Sequence, residues 1–248
     1  MLYSVQTAAQ RLPVLINADT AVLLVCAGNA TRMGGIHKIL HPLGDAAVLE
    51  HSLRTFCICE SVTELIVVCR EQNFDEFTAI VNKMQLSRPV TLAKGGCTRQ
   101  QSVKNGFAAI TTNAEYVAVH DGARPLVRRE DIEQVIADAR KTGAATLGVP
   151  AKDTIKVVRQ GVITDTPDRS TLYQTQTPQV FRRSLYEQAV QRAEQCGQDF
   201  TDDCQLVEAL GVQVTMTTGS YTNIKLTTPE DFAVAEALLK EIRANTEE

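Results

Sequence analysis

The chain of 248 residues is 44% hydrophobic and 22% charged, enough to bury one large α/β core or two small ones. Its 25 Lys and Arg against 29 Asp and Glu leave a net charge of −4, which excludes a global positive field that would gather nucleic acid or an anionic membrane. Seven scattered cysteines imply no disulfide framework, and Cys57-x-Cys59 lacks the second ligand pair of a zinc site. No run approaches the roughly 18 apolar residues of a membrane span, and the start has no basic region leading into an apolar stretch. The expectation is a cytoplasmic globular protein with reduced thiols.

Residues 1–20 read as a peripheral extension, and 21–248 as a single domain. Short β-rich apolar runs follow at Ala21 to Cys26, Leu65 to Cys69, Val90 to Leu92, Tyr116 to Val119 and Ala144 to Val149. Between them, apolar residues return every three or four positions at Val48 to Cys59, Phe74 to Met84, Arg99 to Ile110 and Arg129 to Lys141, the spacing of amphipathic helices. Strand and helix in alternation predict an α/β fold, a mostly parallel sheet covered by helices. After Pro150 the period changes. Thr154 to Thr164 alternates around Gln160-Gly161, which predicts a hairpin. A polar stretch from Asp165 to Gln179 then leads to helices near Ser184 to Cys196 and Asp202 to Leu210, a strand at Val212 to Thr217, and a closing helix opened by Pro229.

The first strand runs into Cys26-Ala-Gly-Asn-Ala-Thr-Arg-Met-Gly-Gly-Ile-His-Lys38. A loop at the carboxyl end of a parallel strand is where α/β proteins commonly bind ligands. It fails the dinucleotide fingerprint, because Ala30 and Met33 stand where glycines belong, and it lacks the Gly-Lys-Ser/Thr of a P-loop. Arg32 and Lys38 can neutralise phosphate oxygens, and Gly28, Gly34 and Gly35 let backbone approach closely, so a polyphosphate is the predicted ligand. A surface loop with solvated cations satisfies the same residues. Tyr116 to His120 ends in Asp121, a carboxylate that can hold Mg²⁺ beside substrate phosphates or simply cap a turn. His120 reads as structural. Gly95 and Gly96 could lie flat against a base, with Thr98 capping the helix that follows. Lys225 is a cation flanked by apolar residues, whose alternative is a buried stem with a solvated head.

Six segments in this order resemble the 2-C-methyl-D-erythritol 4-phosphate cytidylyltransferase family of the non-mevalonate isoprenoid pathway. They are Ala27-Gly-x-x-x-Arg-Met33 with Lys38, Gly95-Gly-x-x-Arg-x-x-Ser-Val103, Val119-His-Asp-Gly-Ala-Arg-Pro125, Val149-Pro-x-Lys-Asp-Thr154, Gln176-Thr-Pro-Gln179 and Tyr221-Thr-Asn-Ile-Lys-Leu-Thr-Thr-Pro-Glu-Asp231. The resemblance implies a Rossmann-like nucleotidyltransferase sheet with a projecting β-hairpin arm, about residues 151–180, that pairs two subunits into a homodimer. It implies transfer of a cytidylyl group from CTP to 2-C-methyl-D-erythritol 4-phosphate, with release of pyrophosphate.

Carried over by position, Arg32, Lys38, Lys225 and Arg169 are the catalytic cations and Asp121 the Mg²⁺ ligand. Ala27, Gly28, Gly96, Arg99, Ser102 and Gly122 line the nucleotide site. Arg124, Thr154, Thr201 and Arg169 of the neighbouring subunit's arm bind the acceptor. The sequence departs from the family's usual pattern at Ala30, His37 and Cys97. Two rivals remain. Tyr173-Gln-x-Gln-Thr-Pro-Gln179 also resembles a ribitol 5-phosphate cytidylyltransferase, and a non-catalytic nucleotide-binding module could keep the same fold. A NAD-dependent oxidoreductase is disfavoured by the absent glycine fingerprint.

Overall fold

A computed structural model describes residues 3–5, 18–28, 38–197, 200 and 202–245. The strands are β1 (Tyr3–Val5), β2 (Thr20–Val25), β3 (Pro42–Leu43), β4 (Ala46–Ala47), β5 (Val62–Cys69), β6 (Val90–Lys94), β7 (Tyr116–Asp121), β8 (Ala144–Pro150), β9 (Val157–Arg159), β10 (Val162–Asp165), β11 (Tyr173–Arg182) and β12 (Thr215–Thr218). The helices are α1 (Val48–Cys57), α2 (Phe74–Lys83), α3 (Arg99–Ala108), α4 (Arg129–Thr142), α5 (Arg183–Cys196), α6 (Asp203–Glu208) and α7 (Pro229–Ala244). Eight strands form one sheet in the order β1-β6-β5-β2-β7-β11-β8-β12, and β3-β4 and β9-β10 are separate two-stranded pairs.

The period-2 pattern of the central strands decides which helices they meet. In β2, Val22 and Leu24 point to the face covered by α1, α2, α4 and α7, whereas Ala21 and Leu23 point to the face covered by α3, α5 and α6. Side chains buried on both faces are the mark of a sheet sandwiched between helix layers. The predicted helix ends hold to within a few residues. Thr98 Oγ1 accepts from Gln101 N at 3.1 Å, so the expected cap of α3 is present. Pro229 occupies the first turn of α7, and Asp231 accepts from the backbone of Thr227 and Thr228. Gln160 and Gly161 have φ of 51° and 80°, the left-handed pair that a tight two-residue hairpin needs.

Two expectations change. The polar stretch Asp165 to Gln179 is not all connector, because ten residues from Tyr173 form β11, inserted antiparallel between β7 and β8. Hydrophobic pattern could not reveal it, since its buried positions include Gln176, Thr177 and Gln179, held by hydrogen bonds rather than by apolar contact. The predicted strand Val212 to Thr217 shortens and shifts to Thr215–Thr218. In the N-terminal extension, Tyr3–Val5 pairs antiparallel with β6 as an edge strand.

The sheet order reverses at β2. Successive strands run outward from β2 through β5 to β6, after which α3 carries the chain back over the sheet to β7 on the other side. A crevice opens at the carboxyl ends of strands on either side of such a reversal. Helix α3 packs tightly there, and a Cβ built on Gly106 would lie 2.5 Å from Val68 Cγ2. Gly→Ala inside a helix ordinarily stabilises by about 1 kcal/mol. Here Gly106→Ala is expected instead to destabilise, by about 1–3 kcal/mol through overpacking, and urea denaturation of the two proteins reads the sign.

Candidate active site

The crevice is a cavity of about 940 Å³ lined by the carboxyl ends of β2, β5, β6 and β7, the start of α3, and Lys225. Lys38, Arg70, Arg99 and Lys225 face it with Asp121 and Glu71, so cations outnumber carboxylates among its described lining residues. A volume of this size accommodates a nucleotide-sized ligand. The sequence reading passed over Arg70, although a cation directly after an apolar strand run stands by construction at the carboxyl edge. Its Nε donates to Ala27 O at 3.3 Å, tying the β5 end to the first loop.

Asp121 terminates β7, with its side chain only 13% exposed. Lys225 Nζ stands 2.8 Å from its Oδ2, and Arg124 Nε lies 3.7 Å from the same oxygen. Burial alone would raise the pKa of this carboxyl. The attraction of Lys225 and Arg99, the Lys225 hydrogen bond and Arg124 outweigh it and hold the pKa down to about 2. Asp121 is therefore an ionised oxygen donor at the cavity wall.

Behind it, a hydrogen-bond chain sets its direction. Asp121 N donates to Thr177 Oγ1 at 3.0 Å, which leaves that hydroxyl proton to go to His120 Nδ1 at 3.1 Å. His120 Nε2–H then donates to Arg124 O at 3.1 Å. This arrangement needs a neutral imidazole, and burial pushes the His120 pKa down to about 4. The structural reading of His120 fits this geometry.

Lys38 Nζ donates to Leu226 O at 3.0 Å, which brings the first loop's lysine beside Lys225 although 188 residues separate Lys38 from Leu226. The glycine turn after β6 is shaped by Ser102. Its Oγ donates to Thr98 O at 2.9 Å and accepts from Gly96 N at 3.0 Å, so both hydroxyl functions serve the loop. A Cβ on Gly95 would stand 2.4 Å from Ala27 Cβ, and one on Gly96 would meet Gln101 Cγ at 2.1 Å, so glycine is required where the two loops close. Gly122 packs against Cys26, whose Sγ would lie 2.4 Å from an added Cβ.

The structure thus brings Ala27, Gly28, Lys38, Gly96, Arg99, Ser102, Asp121 and Lys225 together around one cavity. Cys97 also lines it, exposed. Arg124 sits beneath rather than in the lining, its Nη1 donating to Asn223 O at 2.7 Å. Thr154 and Arg169 lie on the exposed arm and do not line this chain's cavity, and Arg169 Nη1 donates to Lys152 O at 2.9 Å. Arg32, Thr201, Ala30 and His37 lie outside the described residues.

Residues 20–241 match the sequence model of 2-C-methyl-D-erythritol 4-phosphate cytidylyltransferase. The chain belongs to this family. A cytidylyltransferase of that name from Syntrophotalea carbinolica is 43% identical over 221 residues, 88% of this chain and 95% of its own. The chloroplastic enzyme of rice, Oryza sativa subsp. japonica, is also 43% identical, over 90% of this chain and 75% of its own. In three dimensions the chain resembles 4-diphosphocytidyl-2C-methyl-D-erythritol synthase from Anaerococcus prevotii, with a TM-score of 0.81 at 30% identity over 90% of this chain and 99% of that one. The cytidylyltransferase of Thermus thermophilus gives a TM-score of 0.73 at 29% identity over 90% and 99% of the two chains. Four of the six segments that carried the sequence resemblance contribute lining residues to the cavity of this cytidylyltransferase family member. Gln176-Thr-Pro-Gln179 supports the site from behind, and Val149 to Thr154 leads away into the arm.

Acid should loosen this site in two windows. His120 has a folded pKa near 4 against an ordinary 6.5, so between those values the unfolded chain binds a proton that the folded one refuses, and stability falls as the pH drops. Asp121 has the depressed pKa of a stabilised anion, so its contribution is present above 3.8 and is lost as the pH falls toward 2. An NMR titration of the imidazole is expected to find His120 still neutral at about pH 5, and a midpoint near 6.5 would contradict the chain of hydrogen bonds.

Proposed function

We propose that this chain transfers the cytidylyl group of CTP to 2-C-methyl-D-erythritol 4-phosphate in the non-mevalonate isoprenoid pathway. A non-bridging oxygen of the acceptor phosphate attacks the α-phosphorus of CTP. The bond from that phosphorus to the β-phosphate bridging oxygen breaks, and pyrophosphate leaves. The observation that carries this reading, beside family membership, is the convergence of Lys38, Arg99 and Lys225 with Asp121 on a glycine-walled cavity at the strand reversal.

The obstacle is repulsion between an anionic nucleophile and a triphosphate. Two like charges about 4 Å apart cost roughly 4 kcal/mol at an effective dielectric near 20. Lys38 and Lys225, together with Arg32, lower that cost by placing positive charge where the new oxyanion charge develops. Both reactants are held in position, so catalysis is orientation plus charge stabilisation. The acceptor phosphate is already ionised at neutral pH, which removes the need for a general base. Ala27, Gly28, Gly96, Arg99, Ser102 and Gly122 form the nucleotide site, with Ser102 acting by shaping the glycine turn.

Asp121 fits a Mg²⁺ site in its chemistry, being an ionised oxygen donor at the wall of an anion-binding cavity. Mg²⁺ is commonly held by one or two carboxylates plus substrate phosphates. When bound it would neutralise charge on the phosphate oxygens. Lys225, 2.8 Å from the same carboxylate, holds Asp121 in its ionised state.

The acceptor side involves a second copy of the chain. Thr154 and Arg169 do not line the cavity of their own chain, and the arm that carries them exposes Val158, Val162 and Ile163 at 54%, 64% and 59%. Apolar side chains clustered on a projecting hairpin mark a protein interface. In a homodimer the arm brings Arg169 to the neighbouring cavity, where it meets the acceptor together with Thr154 and Thr201, while Arg124 serves the acceptor site from beneath by bracing Asp121 and the Asn223 segment.

Purified protein with CTP and Mg²⁺ is expected to release pyrophosphate with 2-C-methyl-D-erythritol 4-phosphate in preference to ribitol 5-phosphate. Preference for ribitol 5-phosphate would move the acceptor assignment, and silence with both would favour a non-catalytic nucleotide-binding module. Lys38→Ala should lower turnover on the order of a hundredfold, with a modest drop in melting temperature from loss of the bond to Leu226 O. Arg169→Ala should weaken acceptor binding while calorimetry finds CTP affinity unaltered. Light scattering should find a dimer, and a monomer would remove the basis for a shared site.

A further inference from the structure

Outside the catalytic cluster, the side chain of Asp203 at the start of α6 is almost wholly buried, at 1% exposure. A buried carboxylate persists only when paired and hydrogen-bonded. Arg99 Nη2 stands 2.6 Å from its Oδ2, and Tyr186 OH donates to its Oδ1 at 2.5 Å. Its backbone N–H donates to Gln179 Oε1 at 2.9 Å, which fixes the start of α6 to β11. Tyr186 is itself fully buried and stacked on Phe181 with ring centroids 5.1 Å apart. The carboxylate therefore has almost no freedom to move. Arg99 is different, because its side chain is 29% exposed and lines the cavity. The Arg99 contact is an ion pair, because Asp203 Oδ2 has no partner by hydrogen-bond geometry.

We propose that Asp203 and Tyr186 are positioning residues of the nucleotide site, acting through Arg99. Tyr186 orients the carboxylate, the carboxylate holds one edge of the guanidinium, and the other edge is presented to the anionic part of CTP. An arginine fixed in this way meets a phosphate with less conformational entropy to lose than a solvated one. Burial alone would lower the Arg99 pKa, but attraction to Asp203 and to Asp121 across the cavity raises it, so the side chain stays charged. The inference rests on the reading of the cavity as the CTP site.

Asp203→Asn keeps the shape and the acceptor for Tyr186 while removing the charge that holds Arg99. It is expected to raise the KM for CTP on the order of tenfold, with kcat altered by less than about threefold. Tyr186→Phe should raise that KM about threefold by freeing the carboxylate to rotate. A role through Arg99 makes the effects non-additive. In an Arg99→Gln background, neither Asp203→Asn nor Tyr186→Phe should weaken CTP binding further. Full additivity in the double variants would overturn the proposal, as would wild-type CTP affinity in both single variants. If Asp203→Asn shows no cooperative melting transition, Tyr186→Phe alone and in the Arg99→Gln background decides the matter by the same criteria. Calorimetry on the wild-type chain separates the two layers. No CTP binding there would overturn the nucleotide reading itself, whereas wild-type binding with unchanged variants overturns only the positioning role.

Discussion

An ionised carboxylate near the end of a buried strand is costly unless its charge is answered at once, and Asp121 sets that condition for the whole site. Lys225 supplies the contact at 2.8 Å, with Arg124 at 3.7 Å from the same oxygen. Meeting it draws distant parts of the chain to one point, because Lys225 follows β12 while Asp121 ends β7. Arg124, through its bond to Asn223 O, ties the segment carrying Lys225 back to the β7 end. Two of the cations that hold Asp121 ionised, Lys225 and Arg99, also line the cavity and give its wall positive charge.

The second organising element is β11. Its polar side chains are buried, and a buried polar group must find a partner. Each finds one in a different wall of the site. Gln176 Nε2 donates to Ser220 O, Thr177 Oγ1 accepts from Asp121 N, and Gln179 Oε1 accepts from Asp203 N. An antiparallel strand in an otherwise mostly parallel sheet therefore acts as a spine to which the Asp121, Lys225 and Asp203 segments are tied. Asn223 completes the tie by donating to Gln176 Oε1 and Thr177 O.

Much of this organisation was legible in the residues. The α/β alternation, the helix starts at Thr98 and Pro229, the left-handed turn at Gln160-Gly161 and the loops of Lys38, Gly96 and Asp121 at strand ends follow from period and capping chemistry, whereas only the family resemblance brought Lys225 to the same site. The strand β11 did not, because hydrophobic period is the signal for strands and Gln-Thr-Gln-Thr-Pro-Gln carries none. Asp203 and Tyr186 were hidden for a related reason. Tyr186 reads as one more apolar position of α5 and Asp203 as a helix-start residue, and nothing local announces that each is the other's partner.

By itself the sequence determined the alternation of elements, the two-faced burial of the central strands and the chemical character of the loops, since these depend on residues near one another in the chain. Tertiary structure alone decided that Arg124 lies under the cavity rather than in it, that both functions of the Ser102 hydroxyl serve the glycine turn, and that Arg99 is held by Asp203. It also left Arg169 out of the lining of its own chain's cavity, bonded instead to Lys152 O. Such outcomes turn on charges and hydrogen-bond partners that meet across large sequence separations, where burial makes pairing obligatory but no local pattern says which partner will be there.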